Sequence, residues 1–150
     1  MIKEKPVVIG STFLANSILK KAKEKNMKIN CIKLYNLIYL IYLDYYNKTG
    51  TKLFSEQFSY SYMGPILPSV YFKFNCYGNE EIKSYSFDAK GNIYIIENNI
   101  LNAIINYNLD LYGCLCSEAI IKESSKRNLP VEDIRLSDKE KVMLRSSKNE

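Results

Sequence analysis

The stretch Asn30 to Gly50, NCIKLYNLIYLIYLDYYNKTG, restricts the fold of this chain more than any other. Between Leu34 and Tyr46 only Asn36 and Asp44 interrupt a run of Leu, Ile and Tyr. A helix made from such a run is apolar around most of its circumference, so it belongs in the middle of a domain. A membrane is the other home for such a helix, but a span needs about 20 apolar residues. Lys33 and Lys48 close this run too soon for that. Its ends read as helix ends: Asn30 is placed to accept from a free first-turn amide, and Gly50 suits the left-handed residue that stops a last turn. On a 3.6-residue period Lys33, Asn36, Asp44, Asn47 and Lys48 share a narrow polar stripe. That edge is expected either to reach solvent or a partner, or to be hydrogen-bonded internally.

The flanking segments read as elements that pack around this helix. Ser11 or Thr12 starts a first helix with Leu14, Ala15, Ile18, Leu19 and Ala22 on its inner face and Asn16, Lys20, Lys23 and Glu24 on its outer face, ending near Asn26. Gln57 to Tyr62 alternates polar and aromatic residues like a half-buried strand, and Met63-Gly64-Pro65 breaks it. Pro68 opens a third helix through Val70, Tyr71, Phe74 and Tyr77, closed by Gly78. Tyr85 to Phe87 and Ile93 to Ile96 flank Asp88-Ala89-Lys90-Gly91-Asn92, the pattern of a hairpin. A fourth helix runs from Asn98 or Asn99 to Gly113, Ser117 caps a fifth, and Ser137-Asp138-Lys139-Glu140 is a capping box for a last short helix with Val142, Met143 and Leu144. These patterns predict one α+β, mainly α domain over residues 1–145 with a frayed tail at 146–150. Roughly five or six helices surround a central buried helix at about 31–47. A small antiparallel β-sheet combines Phe58 to Tyr62 with the later hairpin.

With 150 residues, 47% apolar and 25% charged, the chain has the composition of an ordinary globular domain and enough length to bury its own core. The net charge of +5 permits attraction to nucleic acid, an anionic membrane or an acidic protein. Lys20, Lys21, Lys23 and Lys25 are spread along a helix face, which reads as a solvated face rather than a phosphate track. The opening MIKEK and VVIGSTFLA imitate a secretory signal, but Gly10, Ser11 and Thr12 break the apolar core and the helical period runs on past the supposed cut, so the expected location is cytoplasmic. Four cysteines, Cys31, Cys76, Cys114 and Cys116, accompany no His. Cys114-Leu-Cys116 is tighter than zinc spacing and Cys31 falls in the first turn of the apolar helix, so buried or half-buried free thiols are expected.

Chemistry is constrained by what the chain lacks. Without His the usual triads and the imidazole base are excluded. The six glycines stand singly, so no phosphate-cradling loop or dinucleotide fingerprint is present. Carboxylates form no spaced pair on one element. The reading is a non-enzyme with no catalytic, cofactor-binding or metal residues. Helix three, with Tyr71, Phe72, Phe74 and Tyr77, carries aromatics on more faces than one packed side absorbs, which makes Tyr71 and Phe72 candidate anchors for a protein partner.

Several residues, in order, resemble one family. These are Leu14-Ala15-Asn16, Lys33-Leu34 with Leu37-Ile38-Tyr39, Gly50 with Leu53-Phe54, Tyr62 before Gly64-Pro65, and Val70-Tyr71 with Tyr77-Gly78. Together they look like the Panacea domain of SocA-like and GepA-like proteins, which occur in toxin-antitoxin pairs and on phages and other mobile elements. The resemblance spans roughly Ser11 to Glu123. It implies a cytosolic bacterial or phage protein that binds and neutralises a partner such as a toxin, or delivers it to a protease. Inhibition of a host defence system is the alternative role, and nucleic-acid regulation a third. Partner binding is then expected of Lys33, Asn36, Tyr62, Gly64, Pro65, Tyr71 and Phe72. This chain departs from the family pattern in having Asn36 where Lys is frequent and one extra residue, Met63, between Tyr62 and Gly64. It also lacks a Thr-His pair with Pro-Trp near helix five, where Ile121-Lys122-Glu123-Ser124 stands.

The state of the cysteines is checked by counting thiols under denaturing, non-reducing conditions. All four cysteines should titrate as free thiols, and metal analysis should find no zinc.

Overall fold

A computed structural model describes residues 9–127. Helix α1 (Ser11–Glu24) buries Leu14, Ala15, Ile18, Leu19 and Ala22 along one face, as their spacing requires. Asn26, at φ 56°, turns the chain toward α2 (Cys31–Thr49). There Asn30 accepts from the Lys33 N–H at 2.9 Å, and Gly50 closes the helix at φ 73°. Every residue from Leu34 to Leu43 is buried, so the central helix is what the all-round apolar run demands. Strands β1 (Ser59–Ser61) and β2 (Gly64–Ile66) pair antiparallel, with Tyr60 opposite Pro65. Next comes α3 (Pro68–Phe74), extended by a single 3₁₀ turn, Asn75–Tyr77, and stopped at Gly78 with φ 56°. After an irregular stretch come α4 (Asn99–Tyr112), capped by Asn98, and α5 (Ser117–Ser125). The result is α+β, mainly α, with α1, α3, α4, α5 and the β2 strand all packed on α2.

Tyrosine supplies much of the core beside α2. Tyr42 lies 4.8 Å from Phe54 and 5.3 Å from Phe58, and Tyr39 meets Phe58 edge-on at 5.5 Å. Each buried ring contributes about 1.5–3 kcal/mol of apolar transfer, and each well-oriented pair about 0.5–1.5 kcal/mol more. The Tyr39 hydroxyl is not left orphaned, since it donates to the Arg127 carbonyl at 3.0 Å. Arg127 also donates to Asp44 at 2.9 Å, and Asn108 donates to the other oxygen of that carboxylate at 2.9 Å. Asp44 therefore ties the end of α5 and the middle of α4 to the central helix.

Five expectations are corrected. Asn16 does not face solvent: it is buried, and its amide donates to Ser86 O and accepts from Ser86 N–H, both at 2.8 Å. That contact explains the second correction. The Asp88–Asn92 turn forms, with Asp88 N–H bonded to Asn92 O at 2.9 Å, but its flanks build no ladder. Their peptide groups are engaged by α1 instead, Ser86 and Tyr94 by Asn16 and the Ile96 N–H by Ser17 Oγ. Third, the sheet is the local β1–β2 hairpin, because Gly64-Pro65-Ile66 turns back as a strand rather than merely ending one. Fourth, Ser117 is the first helical residue of α5 rather than its cap, and its hydroxyl accepts from Asn30 Nδ2 at 3.1 Å. Fifth, Cys31 is buried, but Cys76, Cys114 and Cys116 are exposed, because all three sit in the turns that follow α3 and α4 rather than inside an apolar face. The capping box at Ser137, the helix with Val142, Met143 and Leu144, and the tail at 146–150 lie outside the described residues.

Burial holds the phenols of Tyr35 and Tyr39 well above the ordinary tyrosine value, with Cys31 beside Tyr35 and Tyr60 beside Tyr39 adding to it. A group whose folded pKa is raised contributes stability that is intact below its unfolded pKa, about 10 for Tyr, and is lost as pH rises above it. Stability should therefore fall from about pH 10 upward. Absorbance titration should show these two phenolates appearing only as the fold is lost, and early, fully reversible ionisation of all thirteen tyrosines would contradict the buried assignment.

Candidate partner-binding surface

The tip of the β1–β2 hairpin is fixed from inside and from below. Within the turn, Ser61 Oγ donates to Gly64 O at 2.8 Å and accepts from the Met63 N–H at 3.1 Å. From α2, Asn36 Nδ2 donates to Met63 O at 2.9 Å and to Ile32 O at 2.8 Å. Gly64 makes this approach possible. Its φ of 96° is in the left-handed region, and a Cβ there would land on Asn36 Oδ1 well inside van der Waals contact. With Met63 half-buried and Pro65 buried, the hairpin lies flat on α2 and projects Tyr62, whose side chain is 87% exposed.

Helix α3 is held at its start by Glu56. That carboxylate accepts from the Ser69 N–H at 3.1 Å and from both the Ser69 and Ser11 hydroxyls at 2.7 Å, joining the first turns of α1 and α3. A negative group at two helix N-termini is electrostatically favourable. Val70 and Phe74 face the core. Tyr71 is half-buried, its ring 6.2 Å from that of Tyr35 and 6.1 Å from that of Phe72, and Phe72 is 78% exposed. Tyr35 and Asn36 are successive residues of α2, one meeting Tyr71 of α3 and the other the hairpin. The exposed apolar row continues past α3: Lys73 Nζ donates to Phe87 O at 3.3 Å and lies 5.7 Å from the centre of the exposed Phe87 ring.

The structure places Tyr71 and Phe72 side by side on α3 and Tyr62 at the exposed tip of the hairpin, with Gly64 beneath it packed on Asn36. Asn36 is 0% exposed and cannot touch a partner, because the hairpin it bonds covers it. Pro65 is likewise buried, opposite Tyr60 in the ladder. Lys33 points elsewhere, donating to the Lys28 carbonyl at 3.1 Å beside a shallow depression walled by Cys114, Leu115 and Cys116. Partial burial there pulls the Lys33 ammonium pKa below its ordinary value. Phe87 and Glu56 escaped the sequence reading. Phe87 was hidden inside an apparent strand, and Glu56 in a loop with no periodicity to mark it.

Among the described residues no helix is long and apolar enough to cross a membrane, and no group of three or more Cys, Asp or Glu is placed to hold a metal ion. No protein-family model, curated protein or solved structure matches the chain.

Gly64→Ala should destabilise the fold by about 2 kcal/mol or more, combining left-handed strain with displacement of a buried, hydrogen-bonded amide. In an Asn36→Ala background the same change should cost about 1 kcal/mol less, since the blocking amide is gone. Denaturant titration of the four variants reads that coupling; strictly additive losses would show that Gly64 and Asn36 do not act on each other.

Proposed function

We propose that this chain is a non-catalytic, antitoxin-like binding module that occupies one protein partner, such as a toxin, and neutralises it or redirects it to proteolysis in the cytoplasm. The observation that carries this reading is the pairing of two large exposed aromatics, Tyr62 and Phe72, with rigid supports. Exposed aromatics of this kind are enriched among binding hot spots, and a preformed mount lowers the ordering cost of association. The resemblance to the Panacea domain is densest over the same stretch. The two residues that depart from its pattern there, Asn36 and Met63, are bonded to each other in this chain. A charge-driven nucleic-acid role is less well supported, because of the lysines at 20, 21, 23 and 25 all but Lys23 are paired with a carboxylate of the chain itself. An inhibitor of a host defence protein would use the same surface, and the identity of the partner distinguishes the two roles.

The test is co-expression with the product of the neighbouring gene, followed by calorimetry on the purified pair. Tyr62→Ala and Phe72→Ala should each weaken the complex by about 1–3 kcal/mol. Both side chains are exposed, so the thermal midpoint of the free protein should stay unchanged. A stable complex indifferent to both substitutions, or turnover of a small substrate by the chain alone, would overturn the proposal.

A further inference from the structure

A second surface has a different chemistry. Between the end of α1, the loop that leads into α2 and the segment at 81–85, the molecule opens into a groove of about 470 Å³. Its floor is apolar, formed by Leu19, Ala22, Ile29 and Ile82, all buried by their own packing, with Met27 and Tyr85 on the walls. The shape is held by the chain's own bonds. Ile82 N–H donates to Ile29 O at 2.9 Å, closing the floor, and the Tyr77 and Ser84 hydroxyls are hydrogen-bonded to each other on the outer wall. The rim carries Lys23, Lys28 and Lys83, all exposed, against one half-buried carboxylate, Glu81.

Those three lysines differ from their neighbours. Lys20, Lys21 and Lys25 are paired with Glu97, Glu24 and Asp110, whereas among the described residues no carboxylate pairs with Lys23, Lys28 or Lys83. The basic rim is therefore uncompensated within the described fold, and it surrounds an apolar floor. We infer that this groove docks an acidic segment of a protein partner, one that seats a large apolar side chain on the floor and places flanking carboxylates against the lysine rim.

Each part of the groove argues for that occupant. Water is displaced from the half-buried Met27 and Tyr85 walls with gain only by an apolar group, which a phosphodiester backbone does not offer. A concave site does not suit a membrane surface, which is met by a protruding apolar face. Lysines are mobile point charges rather than planar forks, so they match carboxylates presented from a flexible peptide without demanding bidentate geometry. The volume lies within the usual range of about 300–1,000 Å³ for built sites, larger than one side chain, and leaves room for the backbone on either side of it. None of its lining residues belongs to the Tyr62 and Phe72 surface, so the inference stands apart from the proposal made for that face.

The experiment pans a displayed library of random peptides of about twelve residues against the intact chain. The expected product is a set of peptides with Asp or Glu on both sides of one large aliphatic or aromatic residue. A synthetic representative is then titrated into Tyr85→Trp, which places a single indole in the groove of a chain that has no Trp. Binding should shift its emission to the blue. The triple reversal K23E/K28E/K83E should weaken binding by about tenfold or more, with a smaller loss in K23Q/K28Q/K83Q. All three sites are exposed, and circular dichroism confirms that each variant is folded. The inference is overturned if no acidic peptide is enriched, or if the enriched peptides bind the triple reversal as tightly as the parent. It is overturned equally if the indole responds to an oligonucleotide or to anionic vesicles and not to the peptide. Peptides that are lost on Phe72→Ala but keep their affinity for the triple reversal belong to the other face and count against the groove.

Discussion

Burial of the central helix on every side is the constraint from which the rest of this structure follows. A helix with no solvent face from Leu34 to Leu43 has to be enclosed, and its neighbours can enclose it only if each presents one apolar face and keeps the other wet. α1 does this with Lys23 and Glu24 outside, whereas α4 buries Leu101, Ile104, Ile105 and Leu109 and leaves Ala103, Tyr107, Asp110 and Leu111 outside. Enclosure also sets a condition on the polar residues inside the run. A buried amide or carboxylate without partners costs more than the apolar contacts around it return. Asp44 meets that condition, and Asn36 meets it through its Nδ2, while its Oδ1, packed under Gly64, has no hydrogen-bond partner among the described residues. Asn36 bonds the hairpin carbonyl of Met63, and Asp44 collects Asn108 and Arg127. The two interruptions in an otherwise apolar sequence are thereby the points at which the hairpin and the end of α5 are fixed to the core.

Helices were legible in the sequence because their signals are local. Apolar spacing fixed the inner faces of α1 and α2, and Asn30, Gly50, Asn98 and the Pro68 to Gly78 pair marked boundaries through groups that act within one turn. Asparagine was the systematic exception. Asn16, Asn36 and Asn108 are all fully buried, and each bonds a group far along the chain. A sequence pattern registers such a residue as polar and assigns it to the outside. Nothing local reveals that a partner 27 to 70 residues away will bond its amide.

The segment between Tyr85 and Glu97 shows how far one such amide reaches. Its alternation and its Asp88 to Asn92 turn specify a hairpin, and the turn does form. The side chains of Asn16 and Ser17 on α1 then engage the peptide groups of Ser86, Tyr94 and Ile96. A peptide group already bonded has less to gain from a ladder, so the segment lies against α1 as an irregular loop. Phe87, Ile93 and Tyr94 end up exposed as a result, which is why that part of the surface was invisible to the period-two reading.

The same economy of ties bears on how a surface like that of Tyr62 and Phe72 could hold a partner. A hairpin of only two short strands is marginal in water on its own and would lose entropy on docking. Here three features remove that freedom in advance: the Ser61 bonds within the turn, the Asn36 amide beneath it, and the absence of a Cβ at Gly64 that lets the two layers touch. On α3 the Glu56 carboxylate does the corresponding work by clamping the first turn to α1. Both aromatic side chains then have little left to lose beyond their own rotamers, and most of the apolar area they bury in a complex is available as affinity. The order of this face therefore comes less from the two rings than from the part-buried polar contacts behind them.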